Sequence, residues 1–553
     1  MTGTTAQREN AAGSLLRSSG IMALGTIASR VTGFLRTAVI VYALGTVLLG
    51  DAYNIANTTP NIVYELMLGG ILTSVVVPVL VRAARHDSDQ GEAFAQRLLT
   101  LVAVVLGALT VIAVLFAPAI IAAYGAKLSD SQRDVAVTFA RFFLPQILFY
   151  GVGATIGAIL NTRGRFAAPM WTPVLNNLVV ITTGAIFLAI SHGAPTPDSI
   201  TSSEKLLLGL GTTLGIVVQT VALLPSLRAT GFRFRPRFDW RHTGLGHAGK
   251  LASWVLVYVV ANQIGLLVIV NLAGYAGRLA KSEGVAYGAG YTPYFNAFQL
   301  FSLPHAIVAV SVITALLPRM SAHAVDGRRD LLRADLSSGL RLTAVAVVPA
   351  TAAFIALGPQ LATMLFAHRN ATEADAHFIG VVLGTFALGL VPFSAFQLHL
   401  RAFYAMQDTR TPALINCVAT AANIAADLVL FAVLPAQWKV VGLALGFALS
   451  YVVALSLTSR MLGRRLEGLD GFRVVRTYVR LGVASAAGGV LAWLLARTLW
   501  LILGDGFTSS LVGSVAGLAI GTVVFGAFAM RMRVAEVTEV VGLVVGRVRR
   551  RSV

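Results

Sequence analysis

Charge is what this sequence has least of. Asp, Glu, Lys and Arg make up 12% of its 553 residues, about half the fraction in soluble domains. That scarcity excludes a water-soluble globular fold of this length. Cysteine is scarcer still: Cys417 stands alone, so no intrachain disulfide forms, and its place in an apolar run reads as a small packing residue. Nine histidines lie mostly near the ends of apolar runs, without paired metal-ligand spacing. No Ser/His/Asp set can be assembled, and nothing points to an enzyme. The stretch GLGHAGK (244–250) fits G-x-G-x-x-G and the Gly-x4-Gly-Lys of a phosphate loop. However, Leu251 stands where that loop needs Ser or Thr, no strand precedes it, and an apolar helix follows. It reads as a flexible cytoplasmic turn. With no recognisable ATPase, any transport must draw on an ion gradient, a membrane potential or a substrate gradient. No cleavable signal is expected either, because the apolar stretch after the polar residues 1–13 is too long for one.

Apolar residues are what the chain has most of, at 56% with mean hydropathy +0.77. A spanning helix needs about 20 such residues in a row, since hydrocarbon cannot satisfy free backbone polar groups. Fourteen segments meet that need, at about 18–45, 52–81, 96–124, 135–160, 168–191, 206–229, 250–276, 291–318, 337–366, 377–406, 412–434, 440–459, 474–500 and 508–530. The fold class is all-α, a polytopic membrane protein.

The Lys and Arg residues orient it. Thirty-two fall at one set of segment ends and eight at the other, alternating along the chain, while Arg30, Arg36 and Arg141 lie within segments. This is the positive-inside pattern, and it puts both termini in the cytoplasm. The net charge of +19 is therefore topogenic and directed at membrane lipids. It is not a nucleic-acid footprint, which would need a basic stripe on a soluble module. The tail 531–550 reads either as a helix lying on the inner leaflet or as a frayed end.

Turn motifs recur. TSVVVPVL (73–80) and TALLPRM (314–320) place Pro78 and Pro318 240 residues apart. ILNTRGRFAAP (159–169) and FYAMQDTRTP (403–412) place Pro169 and Pro412 243 apart. The expected organisation is a disordered N-terminus (1–17), a six-helix lobe (18–232), a second six-helix lobe (233–465), two further helices (466–530) and a basic tail (531–553). Two like lobes around a central cavity suit alternating access.

Arg30 and Arg36 interrupt an otherwise apolar first segment. If the helix starts near Gly20, Arg30 lies about 15 Å deep and Arg36 about 24 Å. A lipid-facing charge near the midplane costs at least ~2.5–3.5 kcal/mol, so both should face a wet cavity. They differ by about 120° around a regular helix, and Thr32-Gly33 between them is expected to loosen the turn and bring both toward one space. Two readings stand. The arginines pair with Asp51 or Glu65 to hold helices together, or their guanidinium groups grip phosphates bidentately. Glu65 follows Asp51 by about four helical turns, so both carboxylates can face the cavity. In segment 11, Asn423 and Asp427 share one face, and an intramembrane Asp must be paired, protonated or cation-bound.

SRVTGFLR (29–36), DAYNIANTTPNIVYELMLGGILTSVVVPVL (51–80), GAILNTRGRFAAPMWTPVLNN (157–177) and FYAMQDTRTPA (403–413) resemble the MurJ/MviN lipid II flippase family of the multidrug/oligosaccharidyl-lipid/polysaccharide exporter superfamily. The resemblance covers nearly the whole chain, including the fourteen segments. It implies a V-shaped transporter of the bacterial cytoplasmic membrane with a central cationic cavity. Such a transporter moves undecaprenyl-diphosphate-linked peptidoglycan precursor, lipid II, from inner to outer leaflet for cell-wall synthesis. Segments 13 and 14 would form a groove for the lipid tail. Arg30 and Arg36 match the family's two helix-1 arginines, and Asp51 matches the acid opening helix 2. Tyr64 stands where an Arg is common, Gly69 where an acid is, and Gln299 where helix 8 often carries Arg, whereas Arg141 keeps the basic residue of helix 4. The implied substrate-binding set is Arg30, Arg36, Asp51, Asn61, Glu65, Arg141 and Gln299. Asn423 and Asp427 match a cation-binding pattern of some members, with Ile269 where an acid is expected. That implies coupling to a sodium ion or proton, with no other metal or cofactor. Expected partners are lipid II, membrane lipids and cell-wall synthesis enzymes, around a monomer. The alternatives are a flippase for another polyprenyl-linked glycan, a cation-coupled small-molecule exporter of the same superfamily, and a non-transporting scaffold. The exporter would need an acid-rich cavity with aromatic walls, which the arginines oppose.

Overall fold

Backbone polar groups in hydrocarbon must pair within their own segment, and the apolar runs accordingly fold as helices. The computed structural model describes residues 24–25, 28–46, 48–65, 80, 89, 91–125, 128–165, 167–191, 195–239, 246–368, 370–504 and 506–538; among them there is no strand. The helices, in chain order, are α1 (28–44), α2 (Leu48–Glu65), α3 (Glu92–Leu115), α4 (Ala117–Tyr124), α5 (Asp130–Phe143), α6 (Gln146–Thr162), α7 (Ala167–Ile190), α8 (Ser202–Val221), α9 (Leu224–Arg228) and α10 (Gly246–Ser282). They continue as α11 (Tyr291–Pro304), α12 (Val310–Val325), α13 (Arg329–Phe366), α14 (Glu373–Ala387), α15 (Leu390–Ala405), α16 (Arg410–Val433), α17 (Lys439–Arg465), α18 (Gly471–Leu503) and α19 (Phe507–Arg531). A π-helical turn, His305–Ala309, joins α11 to α12.

Among the described residues eleven stretches are long and apolar enough to cross a bilayer, or twelve when α14 and α15, bent by 49°, count as one span. These coincide with twelve of the segments read from the sequence. The other two, 18–45 and 52–81, are helical over 28–44 and Leu48–Glu65 and run on into residues outside the described set. Also outside it lie residues 1–17, Gly69, most of TSVVVPVL and the tail beyond 538.

Two expectations are corrected. Residues 246–250 are not a flexible turn but the first turn of α10, because the apolar face that follows carries the helix back to Gly246. The start of the tail does not lie free: Val534 and Val537 are buried with Ala344, Leu481 and Ala484, and Glu536 pairs with Arg341.

The chain divides into two compact units, Met1–Gln263 and Ile264–Val553. In the first, Tyr53 of α2 sits edge-on to Phe139 and Phe143 of α5 at 5.6 and 5.1 Å, an arrangement favoured by ring quadrupoles. In the second, Phe301, Phe386 and Phe447 form the centre of an aromatic core joining α11, α14 and α17. Small residues let α18 and α19 approach closely, since a Cβ on Gly488 would sit 2.6 Å from the Gly521 carbonyl.

Each unit contains the same run of elements at one register. The capping box Ser129/Gln132 that starts α5 recurs as Thr372/Asp375 at α14, 243 residues on. After α6 the Arg165 N–H bonds the Leu160 carbonyl at 2.9 Å, with Gly164 left-handed at φ 73°; after α15 the Asp408 N–H bonds the Phe403 carbonyl at 3.0 Å, with Gln407 left-handed at φ 59°. This closes orphan carbonyls at both helix ends. The following helices, α7 and α16, are both 24 residues long. Every one of these pairs is offset by 243 residues, the spacing of Pro169 and Pro412.

Candidate functional site

Helix α1 runs through Thr32 and Gly33 without a break, so the expected loosening is not there. Within that unbroken turn, Thr32 Oγ1 donates back to the Ala28 carbonyl at 2.8 Å. Gly33 is small for another reason: a Cβ there would lie 3.4 Å from Asn177 Nδ2 on α7. Arg30 and Arg36 therefore stay about 120° apart. Arg30 shares a side of α1 with Thr37, Val41 and Leu44, within about 40° of each. Those three are buried, yet Arg30 is exposed. Packing on that side ends before Arg30 and leaves its guanidinium in open space. Arg36 is half-buried and within Coulombic range of the Tyr53 hydroxyl.

Tyr53 is itself fixed, sharing a 2.7 Å hydrogen bond with Thr212 Oγ1 of α8. Asp51 is buried in the first turn of α2, where a carboxylate complements the helix dipole. Gln132 donates to the Leu48 carbonyl at 3.1 Å and ties that end of α2 to α5. Asn61 donates to the Asn57 carbonyl at 2.9 Å and accepts from the Tyr150 hydroxyl at 3.3 Å, linking α2 to α6. Glu65 ends α2, and its side chain and that of Tyr64 lie outside the described residues. Arg141 is exposed on α5, on the side opposite the buried Phe139 and Phe143. Among the described residues no carboxylate forms an ion pair with Arg30, Arg36 or Arg141.

In the second unit, Gln299 is half-buried on α11. Asn423 Nδ2 donates to Asp427 Oδ2 at 2.9 Å, one turn along α16. Asp427 is fully buried, and its Oδ1 has no hydrogen-bond partner. A Cβ on Gly446 of α17 would lie 2.1 Å from that oxygen, so only glycine leaves room for it. Tyr294 of α11 is within Coulombic range of the same carboxylate. Helix α10 passes alongside α16, with Gly265 against Thr420 and Tyr275 stacked on Phe431 at 5.7 Å. Ile269 falls between those two contacts and brings no charge. Among the described residues no three His, Cys, Asp or Glu side chains gather to hold a metal. A carboxylate with one amide suits a proton or a monovalent cation.

Three residues of these clusters were not singled out by sequence reasoning. Asn177 donates to the Ser29 carbonyl at 3.1 Å and to Thr32 Oγ1 at 3.0 Å, gripping the turn that carries Arg30. Tyr53 and Gly446 are the others. Asn177 was legible in principle, because a buried amide in an apolar segment is costly unless it has a task. Asn177→Ala should leave membrane abundance unchanged and lower transport about tenfold, the size of one or two lost hydrogen bonds. Transport at the wild-type rate would show that this grip is dispensable.

A family model described as lipid II flippase MurJ matches residues 40–511. The probable lipid II flippase MurJ of Vibrio cholerae is 26% identical over 522 residues, 92% of this chain and 94% of that protein. The lipid II flippase MurJ of Burkholderia cenocepacia is 29% identical over 494 residues, 86% of this chain and 89% of that protein. A solved lipid II flippase MurJ in an inward closed conformation aligns with TM-score 0.71 at 19% identity, over 92% of this chain and 99% of that one. An inward-facing multidrug resistance MATE family transporter of the MOP superfamily aligns with TM-score 0.59 at 13% identity, over 81% and 95%. The two structural likenesses concern the fold.

Proposed function

This chain belongs to the lipid II flippase MurJ family, and on that premise we propose that it carries lipid II from the inner to the outer leaflet of the cytoplasmic membrane. It is a transporter, not an enzyme. The observation that carries the reading is the exposed Arg30 on an otherwise packed side of α1, with no described carboxylate paired to it. A diphosphate-linked lipid needs such a cation inside the membrane. Arg30 and Arg36 would each take a phosphate, bidentately and at any physiological pH. Arg141 adds a third positive charge, while Asp51, Asn61 and Glu65 shape the wall around α2. Gln299 of α11 offers a neutral donor where relatives of the family place a charge.

The prenyl tail would lie along α18 and α19, whose Val479, Val483, Val490 and Val523 are exposed and apolar. Fourteen spans with both termini cytoplasmic fit the split of Lys and Arg, and transport would proceed by alternating access. Asp427, supported by Asn423, would bind a sodium ion or proton and lend its gradient to the cycle. The protein would act as a monomer, with cell-wall synthesis enzymes receiving its product. Depletion of the protein should remove lipid II from the outer leaflet and accumulate it in the inner one. Undiminished outer-leaflet lipid II after depletion, with no second flippase present, would overturn the assignment.

A further inference from the structure

Away from the arginines of α1, the second unit holds a cavity of about 360 Å³ among the ends of α13, α14, α18 and α19. Its floor is polar and buried: Thr363 and Ser510 are each 7% exposed, and Gln360 Oε1 is buried without a hydrogen-bond partner. Leu357, Ala492 and Ala496 of the same helices α13 and α18 form a small buried apolar cluster. The rim carries both signs of charge. Arg497 and Glu373 line the same cavity and are exposed, yet they form no ion pair with each other. Arg497 is held in place. The Arg497 guanidinium lies over the Trp500 ring, 4.2 Å from its centroid. The Glu373 carboxylate rests against Gly506, where a Cβ would come within 3.4 Å of Oε1 and φ is 129°, a conformation that favours glycine.

Opposite charges that share a cavity without neutralising one another match a ligand that itself carries both. We propose that this cavity binds the headgroup of a zwitterionic phospholipid, with its phosphate on Arg497 and its primary ammonium on Glu373. The surroundings favour a lipid over a free solute. Leu501, Ile502 and Phe507, beside the rim, are 66%, 72% and 42% exposed, which offers acyl chains an apolar surface next to the headgroup. Trp500 is the residue type that settles at the membrane–water boundary. On the distribution of Lys and Arg, these helix ends lie on the extracytoplasmic side, so the lipid comes from the outer leaflet. A guanidinium grips phosphate bidentately, and a carboxylate prefers an ammonium that still has N–H donors. Phosphoethanolamine is thus favoured over phosphocholine, which has none, and over phosphoglycerol, which has no cation.

The test is native mass spectrometry of the full-length protein released from detergent with phosphatidylethanolamine, phosphatidylglycerol or phosphatidylcholine of matched chains. The wild-type protein should hold phosphatidylethanolamine about tenfold more tightly than the other two. Glu373→Gln should erase that preference, and Arg497→Gln should lose both phosphatidylethanolamine and phosphatidylglycerol. Both variants should unfold within a degree or two of wild type without added lipid. Should Arg497→Gln not fold, Glu373→Gln alone decides, because its effect is on the preference and not on stability. Equal retention of all three lipids, or a preference untouched by Glu373→Gln, overturns the proposal. Displacement of phosphatidylethanolamine by equimolar acyl-free glycerophosphoethanolamine would assign the cavity to a soluble zwitterion and overturn the lipid.

Discussion

Arg30→Ala and Arg36→Ala should each abolish growth when they are the only copy, while the protein still reaches the membrane at normal abundance. Both side chains lie on α1, which keeps its regular geometry through Thr32 and Gly33, so neither is needed to bend the helix. Neither pairs with a described carboxylate, so removing one strands no buried acid among them. What would disappear is the proposed charge-assisted contact to the diphosphate, worth ~1.5–3 kcal/mol, or about tenfold to a hundredfold in binding per arginine. The two losses should add, since the side chains lie about 120° apart on the helix and would meet different phosphates. Arg→Lys should rescue only in part, because a point charge lacks the planar fork that matches a phosphate. Lipid II binding by the purified variants separates this from a folding defect. Normal growth on the Arg30→Ala/Arg36→Ala double variant would sink the mechanism.

The second large effect belongs to Asp427. Asp427→Asn keeps the shape of the side chain and can keep the contact with Asn423, but it removes the charge. Transport should fall to a small residue and lose its dependence on sodium or pH, measured in vesicles with imposed gradients. Gly446→Ala should reach the same end by crowding, because its methyl would occupy a point 2.1 Å from Asp427 Oδ1. No such overlap survives without the helices parting, and overpacking of this kind costs about 1–3 kcal/mol or more. The double variant Gly446→Ala/Asp427→Ala distinguishes packing from coupling. It should recover thermal stability without recovering gradient dependence. Gradient dependence unchanged in Asp427→Asn would remove the carboxylate from the coupling role.

The parts of this protein that were legible in its sequence are those written in long averages or sharp contrasts. Twelve spans follow from hydropathy, because each needs a run of apolar residues whatever its neighbours are. Arg30, Arg36 and Asp427 stand out because a charge in hydrocarbon has few explanations. The breaks inside spans were not legible. Segment 377–406 reads as one run, yet it bends by 49° at Leu388-Gly389, where Gly389 approaches Ala448 of α17. Segment 291–318 hides the π-turn at His305, whose ring meets Ser394 of α15 at 3.1 Å. Gly446 was equally hidden, one of 53 glycines, and marked only by what α16 places against it. Such contacts depend on which helix lies alongside, and one sequence carries no record of that.

The 243-residue register has an evolutionary consequence. It is the pattern that copying and fusing a half-length gene would leave, each copy then being free to drift. The turn after α6 keeps a glycine at 164, whereas its counterpart keeps the same backbone with glutamine at 407. Residues 180 and 184 of α7, valine and glycine, correspond to Asn423 and Asp427 of α16. In the first copy Gly184 stays small because Val39 would lie 2.5 Å from any Cβ there. In the second, the small residue is Gly446 on the neighbouring helix, and the equivalent of position 184 is a buried carboxylate. At this point the two halves differ: of the equivalent positions 184 and 427, only the second holds an ionisable group.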